Sequence, residues 1–131
     1  MAAILGLADE ALRECCVRVQ AAEVVEAVNF NSPGQVVMAG NRAAVERAMA
    51  ACKAAGAKRA MLLPVSVPSH CALMQPAAEQ LAEALKSVRI VTPEIRVVHN
   101  ADVRVHEQPA HIRDALVRQL YSPVRWTETI A

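Results

Sequence analysis

The chain has 131 residues, of which 54% are hydrophobic and 21% charged, and its formal net charge is +1 at pH 7. This balance excludes the basic face that broad nucleic-acid binding requires, and one Phe, one Tyr and one Trp give no stacking platform for single strands. No apolar run approaches the roughly 18 residues that span a bilayer, and no signal peptide is visible. We therefore expect a cytoplasmic protein of one domain or two small lobes that contacts no membrane.

The first half of the chain shows six elements in the order β-α-β-β-α-β. Strands are predicted at residues 2–7, 24–30, 35–39 and 58–65, with Asn31-Ser-Pro-Gly34 as the punctuation of a hairpin. Asp9 is predicted to cap the first helix and Asn41 the second, which ends at Gly56. The helical stripes are Leu12, Cys15, Cys16 and Val19, then Val45, Ala48, Met49 and Cys52. This order is the split βαβ, or ferredoxin-like, arrangement, which we assign to residues 1–66.

Residues 67–131 follow a different pattern. Two more helices are predicted, one through Met74, Ala77, Ala78, Leu81 and Leu85, and one from Pro109 through Ile112, Leu116 and Leu120. A strand is predicted between them at residues 94–99, and this alternation suggests part of a parallel sheet. Because one strand cannot make a sheet, we expect this half not to fold alone, and to self-associate or to use another partner.

His70 stands where an apolar run ends in Pro68 and Ser69 and a helical pattern begins. A loop that a rigid strand positions can hold a base against a substrate. The 131 residues contain no Gly-x-Ser-x-Gly nucleophile motif, and no Asp or Glu lies near His70 in sequence to orient it. The alternative is a structural histidine that is hydrogen-bonded to backbone at a helix start.

The other cysteine and histidine residues predict no metal site. Cys15, Cys16, Cys52 and Cys71 follow no zinc spacing, and the first three fall on apolar helix faces, where Cys behaves as a small buried hydrophobe. Cys71 is an alternative thiol nucleophile, which we disfavour because neighbours at a helix start point in different directions. Three further histidines show no ligand spacing and receive no role: His99, His106 and His111.

Ordered blocks along the chain resemble the bacterial malonyl-CoA:acyl-carrier-protein transacylase family. The first is the stretch around His70, residues 62–74, Leu-Leu-Pro-Val-Ser-Val-Pro-Ser-His-Cys-Ala-Leu-Met. The others are Met1-Ala-Ala-Ile-Leu-Gly-Leu, Val28-Asn-Phe-Asn-Ser-Pro-Gly-Gln-Val-Val-Met-Ala-Gly40, Ala43-Ala-Val-Glu-Arg47, Cys52-Lys-Ala-Ala-Gly-Ala-Lys-Arg-Ala60 and Ile112-Arg-Asp-Ala-Leu-Val-Arg-Gln-Leu-Tyr-Ser-Pro-Val-Arg-Trp126. The resemblance covers essentially all of this chain but less than half of the family enzyme. The family's oxyanion block, serine nucleophile, malonyl-binding arginine and C-terminal Gly-Pro-Gly segment do not occur here, so the chain looks like an internal fragment.

The resemblance implies an α/β fold, with residues 67–131 as an incomplete piece of a larger α/β hydrolase-like lobe. It implies transfer of malonyl from malonyl-CoA to the phosphopantetheine thiol of acyl carrier protein in fatty acid biosynthesis, with no cofactor bound by the enzyme itself. His70 would be the catalytic base. Because the family orients this histidine with main-chain carbonyls that we place in the C-terminal segment, we expect its ring to be less well fixed here.

The resemblance also suggests further site residues. Asn31 and Gln35 would lie near the substrate cleft, although turn chemistry explains them equally well, and we favour turn chemistry for Asn29. Ser69 stands where many relatives carry Phe, so malonyl remains the expected substrate but exclusion of methylmalonyl is less secure. A basic cluster would dock the acidic carrier protein through Lys58 and Arg59, beside Lys53, which we favour slightly over the alternative of a plain solvated edge.

Two alternatives come from other functional classes. One is a stand-alone ferredoxin-like module that binds a small molecule or a carrier protein, and the other is an inert remnant of the transacylase. In every case we predict that these 131 residues alone have no transacylase turnover, because covalent transfer needs an activated nucleophile.

Overall fold

The computed structural model describes residues 1–131 and contains a four-stranded sheet, a short hairpin, five α-helices and one turn of 3-10 helix (Ala72–Met74). The strands of the sheet are β1 (Ala2–Leu5), β2 (Val25–Ser32), β3 (Gln35–Gly40) and β4 (Arg59–Leu62). Helix α1 (Asp9–Val19) connects β1 to β2, and helix α2 (Arg42–Ala54) connects β3 to β4. The order of elements predicted for the first half is confirmed, although β1 and β4 are shorter than predicted.

The sheet has the strand order β2-β3-β1-β4, and every pair of neighbours is antiparallel. Each β-α-β unit is therefore split, because β3 lies between β1 and β2 while β1 lies between β3 and β4. The predicted hairpin between β2 and β3 is confirmed, with Pro33 and Gly34 at its tip. Gly34 has φ +72°, a conformation that glycine adopts without steric cost.

Both helices pack on one face of the sheet and form the main core. Leu12, Cys15 and Cys16 of α1 and Val45, Ala48 and Cys52 of α2 are all buried there, as the predicted helical stripes require. The opposite face has a smaller cluster of buried residues, Val28, Val37, Ala39 and Cys71. The segment that carries His70 therefore lies against the sheet face that the helices leave open.

The prediction that Asp9 and Asn41 cap α1 and α2 is wrong, because neither side chain hydrogen-bonds to the start of its own helix. Asp9 is the first helical residue, and its Oδ1 accepts a hydrogen bond from Gly34 N at 3.0 Å. Asn41 occupies the cap position, but its Oδ1 accepts from Val24 N at 2.8 Å. Each side chain finds a donor in a distant loop and does not bond its own helix start. Gly56, with φ +102°, follows the end of α2 as predicted.

Helices α3 (Gln75–Leu85) and α4 (Pro109–Arg118) confirm the two helices predicted in the second half. The strand predicted at residues 94–99 is wrong for most of its length. Only β5 (Val98–His99) is a strand, and its one partner within residues 1–131 is β6 (Arg104–Val105), with which it forms an antiparallel hairpin. The apolar alternation upstream of β5 has no neighbouring strand to pair with, and pairing decides whether such a segment becomes a strand.

Hydrogen bonds attach the second half to the first. Val124 donates to the Val28 carbonyl at 2.7 Å and accepts from Phe30 N at 3.0 Å, which adds one bridge to the edge of β2. Thr127, in the short helix α5 (Trp126–Thr129), donates its hydroxyl to the Phe30 carbonyl at 2.9 Å. Arg113 joins α4 to the end of α3 through the carbonyls of Leu85 and Val88. No helix here has the length and apolarity to cross a bilayer.

Candidate active site

His70 is held by two consecutive main-chain carbonyls at the end of α4. Its backbone N–H donates to Leu120 O at 3.0 Å, and its ring Nδ1 lies 2.6 Å from Gln119 O. A carbonyl oxygen only accepts hydrogen bonds, so Nδ1 carries the proton and donates it. In the neutral ring this leaves Nε2 with a free lone pair, which is the form that a general base needs.

The expectation of a loosely fixed His70 ring is wrong. The orienting carbonyl comes from Gln119 within this chain, 49 residues downstream. The last carbonyls of a helix have no partner inside the helix, so they are available to bind a ring N–H. The sequence signal that could have indicated this contact is the end of the predicted fourth helix near residue 120.

The backbone at His70 has φ +66°, in the left-handed region that residues other than glycine seldom adopt. The next residue, Cys71, is buried against the open face of the sheet, and its Sγ donates to Pro68 O at 3.1 Å. Burial raises the pKa of the Cys71 thiol. Because thiolate is the reactive form, these observations argue against Cys71 as a nucleophile and make it the anchor of the His70 loop.

An open cleft of about 510 Å³ surrounds His70. Its polar lining consists of Asn29, Ser66, Ser69 and His70, and its apolar lining of Met1, Pro64, Val65 and Val67. The cleft has room for an extended acyl group beside the ring, and the only acid–base side chain in its lining is His70.

Asn29 reaches this cleft through an irregularity in β2, so its interpretation as a turn residue is wrong. It pairs with Val37 within the strand and forms a bridge with Val124. Val25, Ala27 and Phe30 all face the helices, whereas strict alternation would place Phe30 on the other face. A register shift between Ala27 and Asn29 moves the alternation by one residue. Such bulges often re-aim side chains beside active sites, and the sequence shows no sign of this one.

The other predicted substrate residues lie apart from the His70 cleft. Asn31 and Gln35 sit near the hairpin between β2 and β3, where Gln35 is exposed and its Oε1 accepts from Ser32 Oγ at 3.4 Å. Neither residue lines the cleft. Lys58 and Arg59 are exposed at the start of β4, beside the same end of the sheet, because Gln35 and Arg59 both pair with Leu5. The chain reaches His70 only after the opposite end of β4.

Comparison of the sequence with known protein families identifies the family of this chain. The model of the acyl transferase domain matches residues 1–131. The chain belongs to the acyl transferase domain family.

Individual relatives agree. The chain is 64% identical to the malonyl CoA-acyl carrier protein transacylase of Haemophilus influenzae and 58% identical to that of Escherichia coli K12, in each case over 99% of this chain and 42% of the relative. A solved malonyl-transacylase in complex with a type II polyketide-synthase acyl-carrier protein is 56% identical, with a TM-score of 0.97 over 98% of this chain and 42% of that one. An acyl carrier protein S-malonyltransferase from Vibrio cholerae has a TM-score of 0.96 at 59% identity. The chain thus spans about two fifths of the length of these relatives.

This acyl transferase chain also contains a polar cluster that sequence reasoning missed, although its histidines were noted. Asp102 Oδ2 lies 2.8 Å from His106 Nε2 and 2.7 Å from Arg118 Nη2. The ring centroid of His106 is 5.2 Å from that of His99 and 6.1 Å from that of His111. The cluster contains no group of three or more residues that could hold a metal ion.

Two ionisable groups of the cluster have shifted pKa values. Burial opposes ionisation of Asp102, but the hydrogen bonds from His106 and Arg118 outweigh it and hold the pKa of its carboxyl below the usual value. Burial, aided by repulsion from His106, lowers the pKa of His99. Asp102 is therefore a charged anchor that is held by residues on both sides of it.

Proposed function

We propose that this chain is part of a malonyl-CoA:acyl-carrier-protein transacylase in which His70 is the general base. The observation that carries the proposal is the hydrogen bond from Nδ1 to the Gln119 carbonyl, which leaves Nε2 free in an open cleft. Over residues 1–131 the family match favours this function over the stand-alone binding module.

In the proposed reaction, Nε2 takes the hydroxyl proton of a serine that is supplied outside these 131 residues as the serine attacks the malonyl thioester. The C–S bond breaks, and His70 returns the proton to the departing CoA thiol. In the second half, His70 takes the proton of the phosphopantetheine thiol as the thiol attacks the malonyl-serine ester, and returns it to the serine. The Gln119 carbonyl remains bonded to Nδ1 throughout, because Nδ1 carries a proton in both states of the ring.

The substrate side of the proposal rests on the lining of the cleft. Ser69 and Asn29 lie beside His70, and we assign both to the wall that faces the acyl group. We keep Asn31 and Gln35 as substrate-binding candidates for the CoA or phosphopantetheine arm, since an arm that enters from the hairpin side would pass them. Ser69 gives this wall a small side chain, and we propose malonyl as the substrate.

We propose acyl carrier protein as the macromolecular partner, with Lys58 and Arg59 as its docking residues. Both side chains are exposed. The support from comparison is a similar malonyl-transacylase that was solved with an acyl-carrier protein. Charged surfaces of this kind guide encounter more than they add affinity. No enzyme-bound cofactor is expected, and localisation in the cytoplasm stays a prediction.

For the architecture, we propose that residues 1–66 form a ferredoxin-like subdomain and that residues 67–131 are part of a larger α/β hydrolase-like lobe. The split order β2-β3-β1-β4 supports the first assignment. Exposed apolar side chains, among them Val91, Ile95 and Val97, support the second, because a lobe that is completed elsewhere in the protein would cover them.

A chimera tests the function directly. The corresponding segment of the Escherichia coli transacylase, 58% identical, would be replaced by this chain, and malonyl transfer from CoA to carrier protein would be measured. We expect an active chimera in which His70→Gln lowers kcat by about 10²–10⁴-fold. The matched control is His111→Gln, since His111 is exposed and outside the cleft. An active chimera that is insensitive to His70→Gln would overturn the proposal.

A further inference from the structure

We propose that Asp102 is a positioning residue for His70, which it reaches through Arg118 and the end of α4. The inference rests on the proposed function only in calling His70 a base. The contacts that carry it belong to the structure alone, and they can be tested without any activity measurement.

The contact path has three short steps. Asp102 Oδ2 accepts a hydrogen bond from Arg118 Nη2 at 2.7 Å. Arg118 is the last residue of α4, and the next two residues, Gln119 and Leu120, present the carbonyls that bind the ring and the backbone N–H of His70. Arg118 thus fixes the segment that determines which ring nitrogen of His70 carries the proton.

The loop that presents Asp102 is itself strained and firmly held. Val103 has φ +57°, which is a genuine outlier for a β-branched residue, and its N–H donates to His99 O at 2.8 Å. Arg125 N donates to Asn100 O at 3.1 Å on the other side of the loop. Backbone strain persists only where the surroundings over-determine it, and it concentrates at functional sites. Of the three positive-φ residues other than glycine, two are His70 and Val103, at the two ends of this path.

Burial and charge make Asp102 suited to this role. Its side chain is 15% exposed, whereas that of Arg118 is 43% exposed, so the carboxylate is the fixed partner and the arginine is drawn to it. Asp102 Oδ1 also accepts from Arg104 N at 3.3 Å, and Oδ2 binds His106. Of these partners only Arg118 leads to His70, which supplies an internal control.

The test is the tautomer of the neutral His70 ring, measured by ¹⁵N NMR of the labelled 131-residue chain, with His70→Gln to assign the signals. In the parent chain we expect nearly all of the neutral ring to carry its proton on Nδ1. Free histidine favours the Nε2–H form, so a loosened carbonyl should release the ring toward it. We expect the Nδ1–H share to fall below half in both Asp102→Asn and Arg118→Gln. Arg118→Gln removes the same hydrogen bond by changing its more exposed partner, so it provides the test if Asp102→Asn fails to fold.

Two controls separate positioning from general destabilisation. His106→Gln removes the other partner of the same oxygen, and Glu23→Gln neutralises the carboxylate partner of a distant arginine, Arg47, in the first half. Both should keep the parent tautomer, and the double variant Asp102→Asn, Arg118→Gln should be no worse than either single one. An unchanged tautomer in Asp102→Asn and Arg118→Gln, or an equal change in His106→Gln, would refute the inference and leave His70 as a base untouched.

Discussion

The two halves of the molecule are stabilised in different ways. Of the 22 buried residues, only four lie in residues 67–131, namely Cys71, Ala78, Ile112 and Ala115. The first half has a continuous core between two helices and a sheet, while the second half is held by hydrogen bonds that cross between loops, such as those of Val124 and Arg113. Apolar burial follows from residue periodicity, whereas such cross-links depend on where loops meet. The candidate site depends on the second kind of contact.

The largest expected effect is on the core of the first half. Leu12 is fully buried, and Leu12→Ala should lower the free energy of unfolding by about 3 kcal/mol through lost transfer energy and a residual cavity. The measurement is urea denaturation followed by circular dichroism. The control is Val17→Ala on the same helix, where the side chain is 72% exposed and about 0.5 kcal/mol or less is expected. Equal losses for the two variants would show that the first half lacks the packed core described here.

The periodic part of the fold was predictable from the sequence. The stripes of α1 and α2 repeat every three to four residues, and six of their eight residues are buried, while Val19 and Met49 are half-buried at the edge of the core. The hairpin at Pro33 and Gly34 follows from turn chemistry. The sequence places Asp9 and Asn41 at helix starts, but their hydrogen-bond partners lie 25 and 17 residues away along the chain, and a local pattern does not indicate them.

The site was predictable only in part. His70 stood out because a strand-like run ends in a turn before it, but its partner Gln119 is a backbone carbonyl, which leaves no mark in residue type. Asn29 reaches the cleft through a bulge that alternation conceals. The segment 94–99 has the alternation of a strand, but no neighbour pairs with its first four residues. These failures share one cause, because each outcome depends on whether another segment of the chain lies beside the residue, and a local pattern does not show this.

The second prediction concerns which half a partner recognises. Lys58→Glu, Arg59→Glu in the chimera should weaken binding of acyl carrier protein about ten-fold at low salt, and the difference should fade as salt is raised, since the Debye length is about 8 Å at physiological ionic strength. Lys86→Glu, Arg89→Glu reverses two exposed charges of the second half, after the end of α3, and is the matched control. Titration of labelled carrier protein measures both. If both variants bind acyl carrier protein with equal affinity, Lys58 and Arg59 at the start of β4 are not the docking residues.

The third prediction uses the pH dependence of Asp102. Because its pKa is lowered in the folded state, its contribution to stability is present above the usual Asp pKa of about 4 and is lost as the pH falls through the folded-state pKa. Asp102→Asn should cost about 1 kcal/mol of unfolding free energy at pH 7 and less at pH 3, which is already below the usual Asp pKa of about 4. Urea denaturation of both proteins at the two pH values gives the difference. A cost that is independent of pH would mean that the carboxylate charge does not hold the loop.

The fourth prediction concerns local opening of the segment before β5, which should require very little free energy. None of the amides of residues 94–97 donates a backbone hydrogen bond, and Ile95 is 80% exposed, so local opening should cost almost nothing. Hydrogen exchange followed by NMR should find these amides nearly unprotected in a dilute sample, while amides in the middle of β2 exchange only on global unfolding. We also expect this apolar segment to mediate self-association. Its amides should then become protected as the protein concentration is raised, and Ile95→Lys should remove that protection. Slow exchange of residues 94–97 at every concentration would instead mean that a single chain pairs this segment as a strand.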